Sequence, residues 1–498
     1  MSEPHSFAPY QNLVQITREL SFLNSTGSVL SWDQETYMPP KAADFRAEQL
    51  AYFGASAHRL FTAPEVGDSL KACEDKEFAV DTVEAVNIRN WRWEYDRNTK
   101  LSTALVEAFE RDRSHAHHAW IEARKKSDYS IFSPHFAKLL EHRRCMADLW
   151  GYEDSPYDAL LTGYERGAKT RDLRNLFSDL GPAVSLLVTE AAERSKSVPA
   201  DLLLGHYPVA AQQAFNREVA EVLGFDFGAG RIDTTTHPFC SGMGPNDCRL
   251  TTRYNETDFT SSLYGVMHET GHGLYDQGLL KEYYGTPMGD AVSLGIHESQ
   301  SRLWENKVGR SRSFWEYWHP RAAKYFPELK KISLENLLAC VNRVERSFVR
   351  VEADEVSYDL HIMLRFQIEV LLIEGDLEVK DVPEIWNNLF LQLFNLEVPD
   401  DARGCLQDIH WSMGGLGYFA TYTLGNLNST QLFRKATSDL PGLGKDLAAG
   451  NYASLLTWLR ENVHRHGQRY DSPDLILKAT GETTQAGYHL EYLHGKFC

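Results

Sequence analysis

Along most of the 498-residue chain, apolar positions recur every three or four residues, the period of helices that bury one face. No low-complexity block or internal repeat interrupts this pattern. Residues 83 to 127 carry strong helix formers at that spacing without a Pro or a Gly, which predicts one or two long helices. Ser133-Pro134 restarts the period, with Ser as an expected cap and Pro at the first helical position. Further helices are predicted over 170–196, 209–223, 334–373 and 382–395. Between about 225 and 256 the helical period fails, and Gly, Thr and alternating polar residues take its place. Short strands are expected there, and Arg249-Leu250-Thr251-Thr252-Arg253-Tyr254 has the strongest β propensity. Gly404 to Gly425, rich in Gly and aromatic residues, reads as loop and turn. The expectation is a mainly α fold with one small β-sheet, and residues 1–498 form a single domain because no Pro/Gly/Ser linker divides them.

Composition narrows what such a body does. With 43% hydrophobic and 24% charged residues, the chain has the balance of an ordinary globular protein. A formal charge of −18 argues against a nucleic-acid partner, which needs a basic face. Any anionic ligand must therefore meet a few local cations set against the general field. Seven cysteines without a close C-x-x-C pair do not make a disulfide framework and point to a reducing cytoplasm. Cys240 and Cys248, eight apart, are read as small buried residues rather than metal ligands. The start of the chain has neither a basic nor an apolar signal region, and no run of about eighteen apolar residues suggests a membrane span.

The chemistry is concentrated in His268-Glu269-Thr270-Gly271-His272, an H-E-x-x-H. Residues four apart share one face of a helix, so two imidazoles can converge on one ion while Glu269 stands beside them. Asp258 or Thr257 can cap such a helix, and Phe259, Leu263, Val266, Met267 and Leu274 supply its buried stripe. Gly271 and Gly273 weaken helix propensity by up to about 1 kcal/mol each. A hydrolytic zinc site also needs a third protein ligand and an open position. Asp276 continues the row, but it lies about 12 Å up the helix from His268, too far for one ion. It suits instead a role orienting His272 from outside. Glu298, 26 residues beyond His272, leaves room for a second helix returning beside the first, the spacing of zincins whose third ligand is Glu. Glu282 and Glu305 compete with it. Two imidazoles and a carboxylate leave a bound divalent ion positive enough to acidify water and polarise a carbonyl. Glu269 is then placed to take the proton of the attacking water and deliver it to the leaving amine.

Taken in order, several segments resemble the Taq-type family of H-E-x-x-H metallocarboxypeptidases. These are Trp32-Asp33-Gln34-Glu35-Thr36-Tyr37-Met38-Pro39, His237-Pro238-Phe239, Asp247-Cys248-Arg249-Leu250-Thr251, the H-E-x-x-H itself and His297-Glu298-Ser299-Gln300. Val349-Arg350-Val351-Glu352-Ala353-Asp354 and Gly404-Cys405-Leu406-Gln407-Asp408-Ile409-His410-Trp411 follow. Val349 stands where Ile is frequent. The resemblance implies a helical, zincin-like (gluzincin) fold with two lobes flanking a deep central groove. It also implies a homodimer, and one divalent metal per subunit, Zn²⁺ first and Co²⁺ as the alternative. Its activity is removal of single residues from peptides with a free C-terminus, with broad preference that generally excludes acidic or Pro terminal residues. Position by position, it makes His268, His272 and Glu298 the metal ligands and Glu269 the catalytic carboxylate. Arg350 matches the grip on the substrate's terminal carboxylate, which fits the need for a local cation in an acidic protein. His237, Arg249, His410 and Tyr422 fall in or beside motifs around the substrate, with Tyr418 competing with Tyr422 as hydroxyl donor.

Two rival readings use the same residues. One is an endopeptidase or dipeptidyl-type enzyme on the same metal machinery. The other is a catalytically silent helical binding protein with a structural metal, which a complete ligand set plus Glu269 argues against, since structural sites close with four protein ligands. His115, His117 and His118 lack an acidic partner pattern and are read as a solvated helix face.

Overall fold

The computed structural model describes residues 7–498, and helices dominate it. The predicted run 83–127 is two helices, Val83–Thr99 and Thr103–Lys126. They part at Ser102, whose side chain accepts from the Leu105 N–H and caps the second. Thr170–Ser195, Val209–Leu223 and Val382–Phe394 follow the predicted bounds closely.

Three expectations need correction. Ser133 opens the helix Ser133–Trp150 but does not cap it, because a 3-10 turn over Tyr129–Ile131 already feeds the chain in, with Asp128 accepting the Ser130 N–H. The run 334–373 is not continuous: Leu334–Val341 and Tyr358–Glu374 are separate helices. The stretch between them is held by long-range polar contacts that a helix would forbid, Val344 N–H to Ser195 Oγ and Arg350 N–H to Gln407 Oε1 among them. Finally, the supposed loop 404–425 gives way at Ala420 to a 20-residue helix, Ala420–Asp439, so Tyr422 sits in a first helical turn. Of the three histidines on Thr103–Lys126, His115 and His118 are exposed, while His117 stacks on Trp120.

The β region is a three-stranded sheet, β1 (Gly230–Thr234), β2 (Cys240–Gly244) and β3 (Asp247–Thr252), with β3 central, parallel to β1 and antiparallel to β2. Its Leu250 is fully buried and packs toward the helix Phe259–Asp276 that follows.

Among the described residues the apolar side chains gather in three clusters. One runs from Phe109 to Leu493, one from Leu203 to Ala479, and a small one joins Tyr10 to Trp91. The helix Ala420–Asp439 belongs to the first through Leu424 and Leu427 and to the second through Leu432 and Ala436. It lies against the helix Leu294–Arg302, which carries Glu298. No helix of the described residues is long and apolar enough to cross a membrane.

Candidate active site

The H-E-x-x-H lies wholly within the helix Phe259–Asp276. Asp258 caps it, accepting from the Thr260 N–H at 2.8 Å, and Leu263, Val266, Met267 and Leu274 are buried along one stripe. Gly271 has a packing reason to be there. A Cβ at that position would stand 2.6 Å from the Ser301 Cα, so only glycine lets the two helices close this far. On the other side, Gly425 admits Glu298, whose Cγ would meet a Cβ there at 2.5 Å. The Glu298 side chain is thus driven into the gap from a helix that packing fixes on both flanks.

That packing brings Glu298 Oε2 to 3.7 Å from His268 Nε2 and 3.6 Å from His272 Nε2. Donors bonded at about 2.0–2.2 Å to one tetrahedral ion stand roughly 3.3–3.5 Å apart, so this trio fits a divalent cation with little movement. The other carboxyl oxygen is already taken: Arg302, one turn on, donates from Nε to Oε1 at 2.6 Å. Glu298 therefore presents a single oxygen to the histidines.

The rings are oriented from behind. His268 Nδ1 lies 2.9 Å from Glu305 Oε2, which can only accept, so the ring donates there and Nε2 is the nitrogen left to face a cation, which would displace its proton. His297 donates from Nε2 to Asp276 Oδ1 at 3.1 Å, which leaves its Nδ1 to accept from His272 Nδ1, 2.6 Å away. His272 Nε2 is thereby also free to bind an electrophile. Asp276 thus reaches His272 through His297 rather than directly. Glu305 backs a histidine and Glu282 lies on a separate 3-10 turn, Lys281–Tyr283, so neither joins the trio.

Electrostatics agree with a cation pocket. Burial lowers His268, but Glu298, the hydrogen bond to Glu305 and Glu269 outweigh it and carry the value up to about 9. Burial and the neighbouring His297 and His268 hold His272 neutral. Glu269 is 6% exposed, and burial, with Glu298 and Glu305 nearby, raises its carboxyl to about 7 against the pull of His268. A carboxylate poised there is matched to proton transfer near neutrality.

A second group of charges adjoins the first. Arg350, on the 3-10 turn Arg350–Glu352, is buried and donates to Asp408 Oδ1 from Nη2 at 2.8 Å and to Tyr358 Oη from Nη1 at 2.8 Å. Arg365 donates to the other oxygen of Asp408. Two guanidinium groups thus share one carboxylate, and burial keeps His410 neutral, its value pushed down to about 4. The group carries an excess positive charge in an otherwise acidic molecule. His410 Nε2 lies 3.3 Å from Tyr422 Oη, and the Tyr418 ring stands 5.0 Å from the His410 ring. The two groups are joined: Arg302 stacks on Tyr358 at 4.2 Å, and Tyr358 accepts from Arg350.

Two predicted residues make none of these contacts. Arg249 of β3 pairs with Asp247 at 2.8 Å and stacks on Trp32, on the sheet face opposite that of Leu250 and Cys248. His237 is exposed on the link between β1 and β2. Sequence reasoning gave no role to Arg302, His297, Tyr358, Asp408 or Arg365. Only Arg302 carried a local signal, a Glu-Arg pair at i, i+4 on the Glu298 helix.

The arrangement defines a metal-dependent peptidase in a mainly helical body. Comparison with known proteins makes this particular. The model of the carboxypeptidase Taq (M32) metallopeptidase family matches residues 12–497. Thermostable carboxypeptidase 1 of Thermus thermophilus is 40% identical, with 98% of each chain covered. The crystal structure of the M32 carboxypeptidase from Deinococcus radiodurans superposes with a TM-score of 0.95 at 35% identity, covering 98% of both chains. A Pyrococcus furiosus carboxypeptidase structure gives 0.96 at 33% identity, with all of both chains covered. The chain belongs to the M32 family and is a metallocarboxypeptidase that acts on peptides with the help of a divalent metal ion.

Proposed function

We propose that His268, His272 and Glu298 hold that ion, zinc first and cobalt as the alternative, and that Glu269 is the general base. The observation that carries this reading is the convergence of three donor atoms within 4.8 Å of one another beside a buried carboxylate. Bound there, the ion would acidify water and polarise the scissile carbonyl. Arg350 receives the peptide's terminal carboxylate with the N–H groups that its bonds to Asp408 and Tyr358 leave over. Holding that end fixes the last peptide bond at the metal cluster, so single residues are released with broad preference for their side chains. Glu269 takes the proton from the attacking water and passes it to the departing amine. Tyr422 or Tyr418, with His410 between them in contact, donates a hydrogen bond to the oxygen on which charge develops.

His237 and Arg249 contribute further contacts to the substrate. The chain works as one domain, two helical lobes flanking a groove, in a homodimer in the cytoplasm. The helix shared by both large apolar clusters supports one folding unit, and seven free thiols suit a reducing compartment. The test compares one peptide as free acid and as C-terminal amide. Loss of nearly all cleavage on amidation is expected, and internal cutting of the amide would make the enzyme an endopeptidase.

A further inference from the structure

Beside the proposed catalytic cluster lies another set of metal-binding side chains. Cys240 of β2 and Cys248 of β3 are diagonal neighbours, since Gly242 pairs with Cys248 and Cys240 with Leu250. Their Sγ atoms are 3.6 Å apart. That is far beyond a disulfide bond, and close to the roughly 3.8 Å that two sulfurs bonded to one tetrahedral ion require. Asp276 Oδ2 lies 3.9 Å from each sulfur, while Oδ1 of the same carboxyl accepts from His297.

The cradle is shaped around that carboxylate. A Cβ on Gly242 would stand 2.7 Å from Asp276 Oδ2, so a side chain there would push the oxygen off the thiol pair. A solvent-connected cavity of about 670 Å³, lined in part by Gly242, Cys248, Asp276 and Gln277, reaches the group and can supply both an entry path and the remaining ligand as water.

We propose that Cys240, Cys248 and Asp276 form a second cation site, selective for thiophilic divalent ions, whose occupancy restrains the enzyme. Binding forms two metal–sulfur bonds and releases two thiol protons to solvent, with no change of oxidation state. A cation on Oδ2 withdraws charge from the carboxylate that His297 donates to. His297 then accepts less well from His272, and the imidazole proposed as a metal ligand loses its backing. This restraint rests on the roles proposed for His268, His272 and Glu298, but the site itself does not.

The experiment titrates reduced, zinc-loaded enzyme with Cd²⁺, counts zinc and cadmium per chain by elemental analysis, and records thiolate-to-cadmium absorption together with peptide hydrolysis. Expected are one zinc retained, one cadmium gained with the thiolate band, and a several-fold fall in kcat. Cys240→Ser and Cys248→Ser should each keep the zinc and the starting activity while losing the band, the cadmium and the inhibition. Gly242→Ala, which keeps both thiols, should weaken cadmium uptake at least tenfold and serves if the serine variants fold poorly. Failure of wild type to take up a second ion, or a band that survives in both serine variants, overturns the site. Cadmium bound with its band but without inhibition leaves the site standing and overturns the restraint.

Discussion

The three donors around His268 stand on two regular helices, whereas the charges around Arg350 come from an isolated helical turn, a loop and a third helix. In the first region local geometry does most of the work. A spacing of four puts both imidazoles on one face, and a small residue on each flank lets Glu298 close the trio. In the second, nothing local brings Arg350 to Asp408, 58 residues away. The pair exists because burial leaves each charge no alternative to the other, with Arg365 as a shared neighbour. On the proposed reading, the helices build the site for chemistry common to many metal hydrolases, and the loops build the part that recognises a chain end.

The comparison can be tested from its heaviest consequence downward. Chelation should abolish hydrolysis of free-acid peptides entirely, and added Zn²⁺ or Co²⁺ should restore it; activity that survives full metal removal, measured by elemental analysis, would detach the reaction from the helical region. Glu269→Gln should retain the metal and lower kcat by about 10³-fold, as expected when a general base is removed. Arg350→Ala should lower kcat/KM for free acids by roughly 10²-fold or more, the loss of a buried charged contact, and narrow the gap between acid and amide substrates. An unchanged acid-to-amide ratio would take the clamp away from the loop region. Asp276→Asn and Glu305→Gln, which strip the backing from His272 and His268, should each weaken metal affinity by about 10- to 100-fold in competition with a chelator. Asp258→Ala removes only the cap of the motif helix, and its expected mark is about 1 kcal/mol of stability in denaturant unfolding with kcat unchanged.

The same contrast explains what could be read before the fold was known. The motif helix announced itself through its cap, its apolar stripe and its two histidines, and the returning Glu298 through spacing. The break before Arg350 was hidden because apolar residues such as Val344 and Phe348 keep a helical rhythm through it, while the contacts that break the helix come from Ser195 and Gln407. Ala420–Asp439 was hidden for a different reason. As far as Leu432 it is buried on almost every side, and Thr423, Asn426 and Thr430 satisfy their polar groups against Asp359, the helix's own carbonyls and His489. Helical turns without a wet face have no amphipathic period to detect. The clamp proposed at Arg350 was legible only through resemblance, since its partners Asp408 and Arg365 have no fixed spacing from Arg350.

That buried helix also ties two properties usually measured apart. Its Gly425 packs on Glu298 and its apolar residues are divided between the two large clusters, so neither cluster can loosen without disturbing the proposed cation site. Heating should therefore release the ion and melt the protein in a single cooperative transition, and saturating metal should raise the melting temperature of both clusters together.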